Sequence, residues 1–184
     1  ATADDEHAIR RKVVRARGEH EAEEALTALW EVEDPRERIR LAEELAAAHP
    51  DDARITYELA GTHDAAGEED LAVALYERAL AAGLREPHRH RAQIQLASSL
   101  RNLGQVQAAE SVIEDVAARH PESLGVAAFR ALVQHDAGHA SQALADLLTA
   151  VVAASTDPDV ARYRRALTAS ASAQPRQFVS ADVG

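Results

Sequence analysis

The sequence predicts an all-α chain, a right-handed α-solenoid of helix–turn–helix repeats with capping helices, and three observations lead there. A motif of paired large and small residues, a glycine, an alanine and a later large residue recurs along the chain. It reads Leu59-Ala60, Gly67, Ala72, Tyr76, Ala79, then Leu96-Ala97, Gly104, Ala109, Ile113, Val116, then Arg130-Ala131, Gly138, Ala143, Leu147, Ala150. The three glycines stand 37 and 34 residues apart, and Pro50, Pro87, Pro121 and Pro158 follow at 37, 34 and 37. Hydrophobic residues make up 46% of the chain but aromatics only 3%. Packing therefore rests on alanine and leucine, which is what closely crossing helix pairs require.

Each motif position has a mechanical reason. Ala60, Ala97 and Ala131 sit where the first helix of a pair crosses the second, and a larger side chain would force the axes apart. Ala72, Ala109 and Ala143 are the facing small residues. Tyr76, Ile113 and Leu147 fill space toward the next pair. Gly67, Gly104 and Gly138 end the first helix in a left-handed conformation, and the prolines mark repeat ends because proline cannot continue a helix.

In chain order, Asp4 to Arg17 is predicted as an amphipathic helix (Ala8, Ile9, Val13, Val14) within an N-terminal segment, 1–18. Residues 19–52 read as a degenerate repeat: a helix over Glu21–Glu31, a break at Asp34-Pro35, and a helix over Arg36–Ala48. Asp34 is placed as N-cap with Pro35 at the first helical position. This unit lacks the turn glycine and carries Arg38 where the small residue belongs. Repeats follow at 53–89, 90–123 and 124–157, and a capping helix at 158–169 (Val160, Tyr163, Leu167) covers the last apolar face. Residues 1–169 thus form one helical-repeat domain. The Ala/Ser-rich stretch 170–184, with Pro175, Phe178 and Val179, reads as an extended or mobile tail.

A period near 34 with this arrangement of small residues, glycine and alanine is the pattern of tetratricopeptide repeats. Residues 51–167 resemble a small bacterial tetratricopeptide-repeat family, group 5. The likeness is carried by Tyr57-Glu58-Leu59-Ala60, Ala74-Leu75-Tyr76-Glu77-Arg78-Ala79-Leu80, the run from Leu96 to Gly104, and Arg162-Tyr163-Arg164-Arg165-Ala166-Leu167. The resemblance implies a three-repeat interaction module, with dimerisation as one form it takes, and no assigned biochemical activity.

The formal net charge of −11 argues against phosphate-backbone binding, and no apolar run is long enough to span a bilayer. The chain has no cysteine, which excludes disulfides, thiolate catalysis and Cys-ligated zinc and points to a cytoplasmic setting. The basic run Arg10-Arg11-Lys12 with Arg15 and Arg17 reads as a solvated helix face opposite Glu19, Glu21 and Glu23. No phosphate loop, nucleophile elbow or HExxH motif is present, and no cofactor is implied.

A partner would bind along the first helices of the repeats. Their outward positions predict a peptide groove formed by Arg54, Tyr57, Arg91, Ile94, Ser98, Arg101, Asn102 and His135. Asp64, Ala128, Leu132 and Asp136 lie on the same faces, and Glu23, Thr27, Trp30 and Glu31 are the counterparts in the degenerate repeat. Three arginines, Arg54, Arg91 and Arg101, make a cationic spot in an acidic chain and suit a carboxylate or phosphorylated side chain. The opposing reading pairs them with neighbours such as Glu58 or Glu110. One variant of this repeat grips a terminal carboxylate with a lysine and an asparagine four residues on. Here those positions hold Tyr57 with Gly61 and Ile94 with Ser98, so that clamp is absent. Trp30 is expected to pack between repeats rather than to serve as a ligand platform.

The function so predicted is a non-catalytic scaffold for a protein or peptide partner, with self-association as a further use and no nucleic acid or membrane. Two alternatives remain open: a metal-binding or hydrolytic protein using His135, Asp136 and His139, or a regulatory fragment of a larger signalling protein. Against the metal site, Gly138 interrupts the helix between the two histidines. His49 and His120 precede repeat-end prolines at equivalent positions, and His63 is expected to pack between helices.

Overall fold

The computed structural model describes residues 3–16 and 19–172, all helix and turn, without a strand among them. Ten helices follow in order: α1 Ala3–Arg15, α2 Glu19–Leu29, α3 Pro35–Ala48, α4 Ala53–Ala65, α5 Glu69–Ala81, α6 His88–Asn102, α7 Val106–Arg119, α8 Leu124–Asp136, α9 Ala140–Ala154 and α10 Pro158–Ser172. They divide into two compact units, Ala1–Gln105 and Val106–Gly184. The boundary falls inside the segment read as the 90–123 repeat. None of the described helices is long and apolar enough to cross a membrane.

The helix starts follow local chemistry. The Asp34 carboxylate accepts the Arg36 N–H at 3.0 Å, with Pro35 in the first turn. Asp52 accepts from the N–H groups of Arg54 and Ile55 at 2.8 and 3.0 Å. Ser123 Oγ accepts from Val126 N–H at 3.3 Å. In each case a short polar side chain satisfies amides that the first helical turn leaves open.

The stops are equally local. Gly67, at φ 77, follows the end of α4, where its N–H donates to the Asp64 carbonyl and the next N–H, that of Glu68, to the His63 carbonyl. This paired return satisfies two terminal carbonyls and needs a residue free to turn left-handed. Gly104 and Gly138 repeat it after α6 and α8, as expected, and Gly83 repeats it after α5, where the sequence motif does not call for it.

Unit 1 packs α1, α2 and α3 against one another and sets α4 upon them. Ile9, Val13, Leu26, Leu29, Leu41, Leu45, Ile55 and Leu59 belong to one buried cluster. Helix α5 then packs on α4, and α6 on both. Ala60 and Ala72 are fully buried, in keeping with their role at the α4–α5 crossing, and so is Tyr76. Arg38, the large residue in the degenerate repeat, donates through Nε to the Val32 carbonyl at 3.0 Å, and its guanidinium lies 5.1 Å from the Trp30 ring centre. Its length carries the charge out of the α2–α3 contact toward the chain leaving α2.

Unit 2 is a simple succession: α7 on α8, α8 on α9, α9 on α10. Ile113, Val116, Val126 and Val133 are buried. Leu147, equivalent to the fully buried Tyr76 and Ile113, is only half-buried. On α10, which packs on α9, Val160 and Leu167 are half-buried and Tyr163 is 54% exposed. That helix runs to Ser172, past the expected limit of 169. The remainder of the expected tail, with Phe178 and Val179, lies outside the described residues, as does Arg17.

A Cβ placed on Gly67 would meet nothing within 4 Å, so Gly67→Ala tests the backbone alone. The left-handed conformation costs an L side chain about 1–2 kcal/mol. The variant is expected to lose that much stability in urea unfolding followed by circular dichroism, with the unfolding slope unchanged.

Candidate functional site

Helix α4 is buried along nine consecutive residues, Ile55 to His63. Its neighbours α2, α3, α5 and α6 surround it, so its polar side chains cannot rely on water and each must find a partner. Thr62 Oγ1 donates to the Leu59 carbonyl at 2.8 Å and Thr56 Oγ1 to the Asp52 carbonyl at 2.9 Å. His63 Nδ1 lies 2.6 Å from the Glu68 carboxylate, the satisfied packing role expected of it. Just beyond, Asp64 accepts from Tyr76 on α5 and Ser99 on α6, each at 3.1 Å, and so ties three helices together. The Tyr76 hydroxyl is driven to a higher pKa by burial and by that carboxylate.

The richest cluster surrounds Glu58. Its carboxylate accepts from Trp30 Nε1 at 2.6 Å and pairs with Arg54 one turn earlier. Arg54 Nε lies 3.7 Å from Glu23 of α2. The Arg54 guanidinium stands 5.6 Å from the Tyr57 ring centre, and Tyr57 stacks obliquely against Tyr76 at 6.1 Å and His88 at 5.5 Å. Burial, then the charge of Glu58, raises the Tyr57 pKa. Burial, then the neighbouring Arg54, lowers that of His88.

Trp30 lies between repeats, as expected, although 44% of it remains exposed. The residue that admits it is Gly61, whose missing Cβ would lie 3.3 Å from Trp30 Cζ2. The position where a carboxylate-gripping repeat would hold asparagine is here the seat of an indole ring.

The predicted groove residues fall into distinct groups. Arg54 and Arg91, Ile94, Ser98, Arg101 and Asn102 belong to α4 and α6 of unit 1. Tyr57, expected on the open face, is buried, because α6 brings His88 over it. Arg54 pairs with Glu58, as the opposing reading foresaw, and also faces Glu23, which that reading did not name. Arg101 donates to Asn102 Oδ1 at 2.7 Å, and Asn102 donates to Glu69 at 2.7 Å. Arg91 is exposed, and no ion pair joins it to an acidic side chain among the described residues. Sequence reasoning missed His88 and the second role of Glu58. The i, i+4 spacing of Arg54 and Glu58 signals their pair, but nothing local signals that Trp30, 28 residues away, shares the carboxylate.

His135 lies in unit 2, exposed at the end of α8, with Nδ1 3.2 Å from Asp136. His139 Nδ1 is 3.6 Å from Glu110. Glu110 thus faces a histidine rather than an arginine. Within neither unit do three metal-ligating side chains converge among the described residues.

Two measurements probe the cluster. Glu58→Gln removes the charge that holds Arg54 and weakens the acceptor for Trp30; a loss of about 1–3 kcal/mol is expected. Trp30 is the only tryptophan, so a shifted emission maximum in the folded variant would place the change at this site. The second concerns pH. His88 binds its proton less readily when folded than at its ordinary value of 6.5. The unfolded chain therefore takes up more protons below that value, and stability falls as pH drops from about 7 toward 5. His88→Asn should flatten the melting temperature across that window; an unchanged slope would remove His88 as its origin.

Comparison with known proteins bears on this geometry. A family model described as tetratrico peptide repeat matches residues 53–174. No curated protein matches the chain. Among solved structures, a crystal structure of MamA is 16% identical with a TM-score of 0.66, covering 89% of this chain and 92% of that one. MamA from residue 41 to the end, from Desulfovibrio magneticus RS-1, is 15% identical with a TM-score of 0.59, covering 95% of this chain and all of that one. At such identities the likeness is one of fold, the all-α repeat class. The matched segment exceeds half of the chain, and with the repeat geometry described above it establishes that this chain belongs to the tetratricopeptide-repeat family, a class of protein-interaction scaffold.

Proposed function

We propose that the face of unit 1 formed by α2, α4 and α6 docks a peptide segment of a protein partner, with an acidic group of that segment at Arg91. The carrying observation is the contrast between the three arginines. Arg54 is held by two carboxylates and Arg101 by Asn102, whereas Arg91 stands exposed without an ion pair among the described residues. A guanidinium in that state offers a two-pronged donor to a carboxylate at little cost in displaced partners.

Helix geometry supports an extended contact. Arg91, Ile94, Ser98 and Asn102 follow at spacings of three, four and four, which places them along one face of α6. Arg91 and Asn102 are exposed and Ile94 and Ser98 half-buried, so the face is polar at its ends with an apolar step between. The reading is confined to unit 1, and His135 has no part in it. It also narrows the cationic spot from three arginines to one.

The test is a selection from random peptides displayed on phage, using the whole chain as bait. Enriched peptides are expected to share an aspartate or glutamate, and Arg91→Ala should weaken their binding about tenfold while leaving the melting curve unchanged. Equal affinity for both proteins would overturn the assignment of Arg91.

A further inference from the structure

We infer that α10 is a docking site for an acidic helix of a protein partner, which seats on it as α9 seats on α8. The site lies in unit 2 and stands apart from the docking reading of unit 1. Ala97 and Ala131, at successive helix crossings, are 34 residues apart, and the same step leads from α8 to α10. It carries Val126 to Val160 and Val133 to Leu167. The two valines are buried on a helix that packs on α7, and their counterparts are half-buried on a helix that packs on α9. Helix α10 therefore takes the place of the first member of a pair.

In that register Arg164 is the counterpart of Arg130. Arg130 donates through Nε to Glu114 of α7 at 2.7 Å and through Nη1 to Asp146 of α9 at 2.9 Å, so the helix before and the helix after both hold it. Arg164 has neither acid. Leu148 stands on α9 where Glu114 stands on α7, and among the described residues no helix follows α10 to bring a second Asp146. Arg165 takes the place of Ala131. Both arginines are exposed, and no ion pair joins either to an acidic side chain among the described residues. With Ala161 and Thr168 they form one face of α10, at spacings of three, one and three. Its equivalent on α8 holds Arg130 and Gln134, both bonded to Asp146, so this is the side on which a paired helix lies.

A helix laid on this side must bring a carboxylate to the level of Arg164, in the role Asp146 plays for Arg130. An apolar residue there would cover a guanidinium without answering it, and a base would meet like charge. Arg165 does not bar the approach. Arg38 also stands at a small-residue position, and it carries its charge out of the α2–α3 contact to Val32 and Trp30. A polar cap would need only solubility, which acidic side chains supply equally well. Yet α10 carries three arginines against one aspartate, in a chain of formal net charge −11. That net charge repels a nucleic acid or an anionic lipid surface at long range, whereas a short acidic helix meets mainly the local field of the arginines.

The test is a selection from displayed amphipathic helices, with an alanine- and leucine-rich face and randomised flanks, on the full chain in three forms: wild type, Arg164→Glu with Arg165→Glu, and Arg91→Ala. Wild type should enrich helices with an aspartate or glutamate beside the apolar face. The doubly reversed protein should bind them at least about tenfold more weakly at an unchanged melting curve, and a fresh selection on it should bring lysine or arginine to that position. Arg164→Ala, a milder change, should weaken binding about fivefold and keeps the test decisive if the reversal unfolds the protein. Arg91→Ala should bind the helices as wild type does, which separates this site from that of unit 1. Equal binding by the reversed protein and wild type, or enriched helices without an acid, would overturn the inference. A sedimentation mass of two copies that falls to one on reversal would overturn it in favour of a second copy of this chain. Capture of phosphatidylserine vesicles, lost on reversal and with no helix enriched, would overturn it in favour of a lipid surface.

Discussion

A helix buried along its middle has to settle the polar groups there internally, and α4 is such a helix. Nine residues in succession lose contact with water, among them two threonines, a glutamate and a histidine. The threonines turn back to carbonyls of their own helix or its cap, while His63 and Glu58 reach outward, to Glu68 beyond the turn and to Trp30 after α2. An unpaired carboxylate there would carry a cost comparable with a large share of a domain's net stability. The pairing of Glu58 is therefore a condition of the fold of unit 1 as much as a feature of its surface.

That condition shapes what the surface offers. Because Glu58 needs Arg54, that guanidinium is spent on structure. Because Glu58 also needs the indole of Trp30, the ring must come close, and the glycine at position 61 leaves it room: a Cβ there would stand 3.3 Å from Trp30 Cζ2. The same glycine removes the position from which other repeats of this kind extend an asparagine. Packing occupies this place, and Arg91, exposed and without an ion pair among the described residues, stands two helices further on, in α6.

Unit 2 follows different terms. No described helix in it is enclosed as α4 is, and its polar contacts include links among half-buried and exposed side chains, such as Arg130 with Glu114 at 2.7 Å and Asp146 at 2.9 Å. Leu124 and Leu132 of α8 remain 44% and 47% exposed, and α10 covers the last pair incompletely. In a stack where each pair depends on its neighbours, the terminal pair is the least covered, and Leu147 registers that by staying half in solvent.

The sequence by itself determined what lies within a few residues of its cause. Asp34, Asp52 and Ser123 start their helices because a short polar side chain reaches only its own first turn. Gly67, Gly104 and Gly138 stop theirs because the left-handed turn costs a residue with a side chain about 1–2 kcal/mol wherever the chain places it. The alanine crossings were legible for the same reason: small size is written in the residue. What the tertiary structure alone decided is the burial and pairing of the residues predicted to line a groove. Tyr57 has the spacing of an open face, yet α6 lays His88 across it. Arg54 carries the charge of a binding residue, yet Glu23 arrives from α2, 31 residues upstream in sequence. Such neighbours are chosen by how helices stack, and helical periodicity within one element holds no record of the side chains another element will bring.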